Sequence, residues 1–169
     1  IIVNTKRPTN EFEASVKGTL GDDNLKKAQA MVSGPLIADQ LYGRLTAFYG
    51  KSDGQFKNKF TGDDDKVNYS EETAVRGRVI WEPTDRLNVD MIGSYREVEG
   101  GAINFNAVFA LPGAAEFLGN PDLYGDVNDH NFRYIFNVPG ENKQDNTFFS
   151  IKSNYEMDFA TLTVTAAYD

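Results

Sequence analysis

Cysteine is absent and histidine occurs once, as His130. Without thiols there is no disulfide framework and no thiolate metal site. No run of about 18 apolar residues exists, so a transmembrane helix is excluded. Bases are outnumbered, 17 Lys and Arg against 25 Asp and Glu, and the net charge is −8. A nucleic-acid partner would need a basic face, which this balance argues against. No secretory signal opens the chain, which starts at Ile1-Ile2-Val3. None of these absences excludes a transmembrane β-barrel, whose alternating strands keep mean hydropathy low. The 169 residues suffice for one domain with a sizeable core, and 15 glycines with 12% aromatics suit an all-β chain.

What is present is alternation. In TAVRGRVIWEPTDRLNVDMIGSYRE (73–97) apolar side chains take odd positions: Val75, Val79 and Trp81, then Leu87, Val89, Met91 and Tyr95. Most even positions are polar, with Arg76, Arg78 and Glu82 before the Glu-Pro-Thr-Asp-Arg turn and Asn88, Asp90, Ser94 and Arg96 after it. Period two marks a strand with one apolar and one wet face. The same pattern predicts strands over 11–20, 25–33, 41–50, 146–157 and 161–168, making seven in all. A short helix is expected within 110–119, after Pro112.

The connections fall into two classes. Segments 34–40, 83–86 and 158–160 are short, whereas 51–72 and 98–145 far exceed an ordinary loop. In an antiparallel meander alternate connections share one end of the sheet, so one end has tight turns and the other large loops. Outer-membrane barrels have this asymmetry. Charge sorts the same way. Segment 51–72 holds six acids and four bases, 98–145 seven acids and two bases, and 21–24 two acids. The acidic balance therefore belongs to the long-loop end, not to the sheet.

Runs of about 9–11 residues, tilted, span a bilayer, while globular strands average about 5–6. Phe12, Trp81 and Tyr155 fall near the tight-turn end of the apolar faces, and Tyr49, Tyr95 and Tyr168 near the other. Two such girdles suit the two membrane interfaces. Turning strand 73–82 over would aim Arg76 and Arg78 at lipid, at a cost of about 2–4 kcal/mol each near the midplane. The odd positions are therefore expected to face acyl chains.

Three stretches carry a family resemblance. IIVNTKRPTNEFE (1–13), VSGPLIADQLYGRLTAFYGKSDGQFKN (32–58) and VRGRVIWEPTDRLNV (75–89) resemble the TonB-dependent outer-membrane receptors. The first looks like the end of the plug domain and the start of barrel strand one. The resemblance implies an up-and-down transmembrane β-barrel of about 22 strands around a plug. On that basis residues 1–9 are expected to be the end of the plug and its linker. Residues 10–169 are expected to be the N-terminal part of the barrel, with 51–72 and 98–145 as extracellular loops. Seven strands do not close a barrel, so the chain is expected to be a fragment of a longer protein. The implied function is active uptake of a scarce nutrient (a siderophore, vitamin or saccharide) across a Gram-negative outer membrane. Its implied partners are lipid and lipopolysaccharide, the protein's own plug, the small ligand, and the TonB complex through segments absent from this chain.

No catalytic constellation stands out, and neither an enzyme activity, a cofactor nor a metal centre is expected. A catalytic His130 would need an orienting acid and a nucleophile in reach, and the spacing to Asp126 or Asp129 alone does not establish one, so it reads as a solvated loop histidine. The run Asp126-Val127-Asn128-Asp129 lacks the turn glycine and closing glutamate of a calcium loop, and Asp63-Asp64-Asp65 reads as a solvated loop tip. Segment 98–145 mixes aromatics with Gly, Pro and Asn, which suits either ligand contact or a loop mini-core. Its expected ligand contacts are Asp126, His130, Arg133 and Tyr134. On the inner face Arg44, Arg76, Arg78 and Lys152 are expected to meet the plug or to pair with neighbouring acids. Two rival readings stand beside the transporter. A soluble β-sandwich that binds carbohydrate would pack its apolar faces into one core, and a passive porin-like protein would lack a plug.

Overall fold

Alternating strands joined by tight turns build a meander, and the chain does so. The computed structural model describes residues 5–58, 67–101, 112–119, 133–134 and 140–169. Among them, β1 (Glu13–Gly21), β2 (Leu25–Ile37), β3 (Leu41–Ser52), β5 (Ser70–Thr84), β6 (Leu87–Gly100), β8 (Asn142–Glu156) and β9 (Thr161–Tyr168) form one antiparallel sheet. Each strand pairs with its neighbours in chain order. The protein is all-β, as expected, and all seven expected strands are present. Two-residue strands β4 (Lys57–Asn58) and β7 (Arg133–Tyr134) pair in parallel, and α1 (Pro112–Leu118) starts at the proline. A proline opens a helix well because its missing N–H has no partner there in any case. Gly119, at φ 60°, follows the last turn of α1.

Local chemistry closes the turns. Asp23 and Asn24 both adopt φ 55°, and the Leu25 N–H donates to the Asp22 carbonyl at 3.1 Å. Asp and Asn tolerate this left-handed backbone, which matches the twist of the paired strands. In the β5–β6 hairpin the strands run further than the Glu-Pro-Thr-Asp-Arg turn suggests. Thr84 pairs with Leu87, and a register irregularity between Trp81 and Thr84 takes up Pro83, which has no N–H for the ladder.

The strands outrun the expected boundaries, β2 by four residues to Ile37 within the segment read as the 34–40 connection, and several others at the long-loop end. The sheet extends to Ser52, Ser70, Gly100 and Asn142, into segments read from the sequence as loop. The apolar alternation stops earlier, but backbone pairing does not need it. Cross-strand charges line the extension instead: Lys51 with Glu71 at 3.5 Å and Arg96 with Glu72 at 2.7 Å. Such exposed pairs add little each, and the ladder hydrogen bonds carry the extension.

Register puts the apolar residues on one continuous face. Val16, Ala30, Ala47, Val75 and Tyr95 share one row, and Ala14, Val32, Leu45, Gly77, Gly93, Phe149 and Tyr168 share the next. The apolar band does not follow the rows; it crosses them diagonally. In β1 it reaches Leu20, whose row continues through Lys26, Lys51, Glu71, Glu99 and Lys143. At the other side Tyr155 and Leu162 share a row that meets β5 only at Thr84, beside its turn. Among the described residues no second layer covers this face: Val16, Val75, Trp81, Phe149 and Tyr168 are all exposed. Val89 is the exception to the outward expectation, being buried on the apolar face beside its register partner Trp81.

A small satellite core lies at the long-loop end. Phe56 and Val67 are buried together, and the Asn68 Oδ1 accepts from the Gln55 and Phe56 N–H groups at 2.9 and 2.8 Å. Burial pushes the Tyr69 hydroxyl above its ordinary pKa, and Glu99 and Glu141 add to the shift. Gly54 approaches Asn68 with φ 82°, where an added Cβ would come within 2.7 Å of the Asn68 backbone. Gly54→Ala is therefore expected to cost more than about 1 kcal/mol locally. Limited proteolysis should show faster cleavage within 53–69 while strand content by circular dichroism is unchanged.

Candidate functional site

The face opposite the apolar band carries the charge. Even positions of β3, β5, β6 and β8 place Arg44, Arg76, Arg78 and Arg96 on it, with Thr46, Ser94 and Asn146 between them. Together with Phe48, Phe148, Thr5, Lys6 and Asp169 these residues line a groove of ≈ 740 Å³. Arg44 and Arg78 are direct cross-strand partners. Like charges opposite each other destabilise a sheet unless acids separate them.

Acids do so for most of the cations. Arg78 is the best held. Its Nε and Nη2 donate to the two Asp90 oxygens at 2.9 and 2.6 Å, and its Nη1 donates to the Thr5 carbonyl at 2.6 Å. Both side chains of the Arg78–Asp90 pair are largely buried, at 13% and 14% exposure. Glu13 takes two cations, Lys6 at 2.7 Å and Arg44 at 3.3 Å. Glu72 takes Arg96. Arg76 has no acidic partner among the described residues.

These contacts bind the N-terminal segment to the polar face. Thr5 is held by Arg78, Lys6 by Glu13, and Asn10 donates to Asp39 in the β2–β3 turn at 2.7 Å. Pro8 is buried, and with Ile80, only 2% exposed, it lines a second hollow of ≈ 970 Å³ at the tight-turn end. Ile80 departs from the expected polar pattern of even positions, and the overlying segment explains it, since an apolar side chain gains by being covered. Turns at this end are also tied together, Arg86 to Asp158 at 2.8 Å and the Glu156 N–H to the Arg86 carbonyl.

Of the residues singled out from the sequence, Arg44, Arg76 and Arg78 converge on the groove. Lys152 lies on the same face but outside the groove; its register partner Asp90 is engaged by Arg78 instead. Arg133 and Tyr134 form β7, beside Lys57 and Asn58, so residues of the two long connections meet there. Asp126 and His130 lie outside the described residues. Sequence reading missed Arg96, Phe48 and Phe148 as groove residues. Arg96 was accessible in principle, because hairpin pairing sets it opposite Ala74, two places from Arg76. The aromatics were not, since an even-position Phe breaks the alternation. No family model matches the chain, and no solved structure matches it.

The Arg78–Asp90 pair is expected to hold Thr5 in place. Asp90→Asn keeps shape but removes the charge, and should destabilise by about 1–3 kcal/mol in denaturant unfolding. Cleavage at 5–10 by added protease should accelerate. Arg78→Gln combined with Asp90→Asn should cost less than the two singles summed, because each single leaves one buried partner unmatched.

Proposed function

We propose that the chain is a wall segment of a larger outer-membrane β-barrel, of the TonB-dependent receptor kind. In this reading the exposed apolar band meets lipid acyl chains and the charged face looks into a plugged lumen. The observation that carries it is the diagonal course of an uncovered apolar band across a seven-stranded sheet. A closed barrel needs strands tilted to the membrane normal, so a band level with the membrane must step across the hydrogen-bonded rows. Soluble sheets bury such a face against a second layer.

Other features support the same reading. Tight turns at 38–40, 85–86 and 157–160 would lie in the periplasm, and the connections 53–69 and 101–141 outside. The strand extensions carry ion pairs above the apolar band, where water and headgroups would solvate them. Segment 5–12, held against the polar face, has the place of a link from plug to barrel wall. The function that follows is ligand-gated uptake energised from the inner membrane. No catalytic role is proposed.

Trp81 is the single tryptophan and is 42% exposed on the apolar face. In reconstituted bilayers its fluorescence should be quenched by lipids brominated on their acyl chains and protected from aqueous iodide. Iodide quenching with no effect of brominated lipid would sink the membrane reading and favour the soluble sandwich. Val79→Arg should impair bilayer insertion by about 2–4 kcal/mol, measured as a shift in denaturant-dependent folding into vesicles. Thr165→Arg, on the opposite face, should leave insertion nearly unchanged.

A further inference from the structure

We infer that Arg76 is the centre of a binding site for a carboxylate carried on a flat apolar body, such as an aromatic acid. The inference concerns the polar face alone and goes beyond the barrel reading, since it holds whatever covers the apolar band.

Three observations converge. The first is charge. The groove brings together Lys6, Arg44, Arg76, Arg78 and Arg96, and the acids Glu13, Glu72 and Asp90 are each engaged by one or two of the others. Asp169 also lines the groove, but it follows Tyr168, the partner of Phe149, and lies on the far side of Ser94 and Phe148 from Arg76. Among the described residues Arg76 is thus left with its five donors uncommitted, in the company of three other guanidinium groups.

The second is space. The register partners of Arg76 on its two sides are Thr46 and Ser94. Cross-strand side chains on one face stand about 4.5–5.5 Å apart at Cβ. Two short side chains in these positions leave room over the guanidinium, and each adds a hydroxyl that can donate to an anion. Neither hydroxyl has a hydrogen-bond partner among the described residues.

The third is the apolar flank. Phe48 is adjacent to Thr46 on the same strand face, and Phe148 is the register partner of Ser94. Both line the groove. A planar guanidinium takes a carboxylate through two parallel hydrogen bonds, while Phe148 beyond Ser94, with Phe48 leaning over Gly50 at the groove's edge, favours a flat apolar body over a bare inorganic ion. Lys152, outside the groove, supplies a matched control.

The test is isothermal titration of sodium benzoate, and separately of inorganic phosphate, into the intact protein in nonionic detergent at fixed ionic strength. Heats from protein-free micelles are subtracted. Benzoate is expected to bind at one site. R76Q should raise its Kd about tenfold or more, S94L should do the same by filling the space without changing charge, and K152Q should leave it within about twofold. S94L decides the matter if R76Q does not fold, with strand content by circular dichroism as the check. Absence of benzoate binding, equal affinity in wild type and S94L, or binding of phosphate in preference to benzoate would each overturn the site. None of these outcomes bears on whether the apolar band meets lipid, which Trp81 quenching reads independently.

Discussion

Register is the constraint on which the rest of this protein hangs. Side chains alternate with period two, so a slip of one residue in any strand would exchange its two faces. Arg78 shows the consequence most directly. In the observed register it meets Asp90 and the Thr5 carbonyl on the polar face. A slip of β5 would carry it to the apolar face, into the place of Val79 between Gly43 and Met91 and away from Asp90. Many such residues along seven strands vote for the same alignment, which is why the pairing runs unbroken from Ser70 to Trp81 along β5.

The two faces are stabilised by different physics. The polar face uses paired charges, and its best pair is largely buried. Burying two charges is costly in itself, and the geometry must be good to offset it. Here the guanidinium meets both carboxylate oxygens and uses its remaining nitrogen on Thr5. The pair therefore gives the fold specificity: it says where the N-terminal segment lies. The apolar face offers no comparable internal contact. Many of its large side chains are exposed, and an apolar medium or partner outside the described residues would stabilise them.

The two proposals rest on separate parts of this division. The barrel reading draws on the uncovered band and its diagonal course. The carboxylate site draws on one arginine unpaired among the described residues, two small neighbours and two groove-lining rings on the opposite face. A transporter wall would unite them, because a lumen-facing groove is where a wall meets its cargo. The chemistry of each stands without the other.

Much of the fold was legible in the residue order. Seven runs of alternation named seven strands, Pro112 marked the helix, and the contrast between 83–86 and 98–145 separated the two ends of the sheet. These signals are local, set by side-chain period and turn chemistry, and local signals survive in a linear text. The strand extensions to Ser52 and Asn142 were not legible, because backbone hydrogen bonds continue where the apolar period has already stopped. Nor was the groove. Arg44, Arg76 and Arg78 could be assigned to one face, but their sorting into paired and unpaired cations among the described residues depends on Glu13 and Asp90. Those two acids reach Arg44 and Arg78 from other strands, and which acid meets which arginine follows from stagger, twist and the path of residues 5–12. Such relations are set by distance in space, and no period along the chain encodes them.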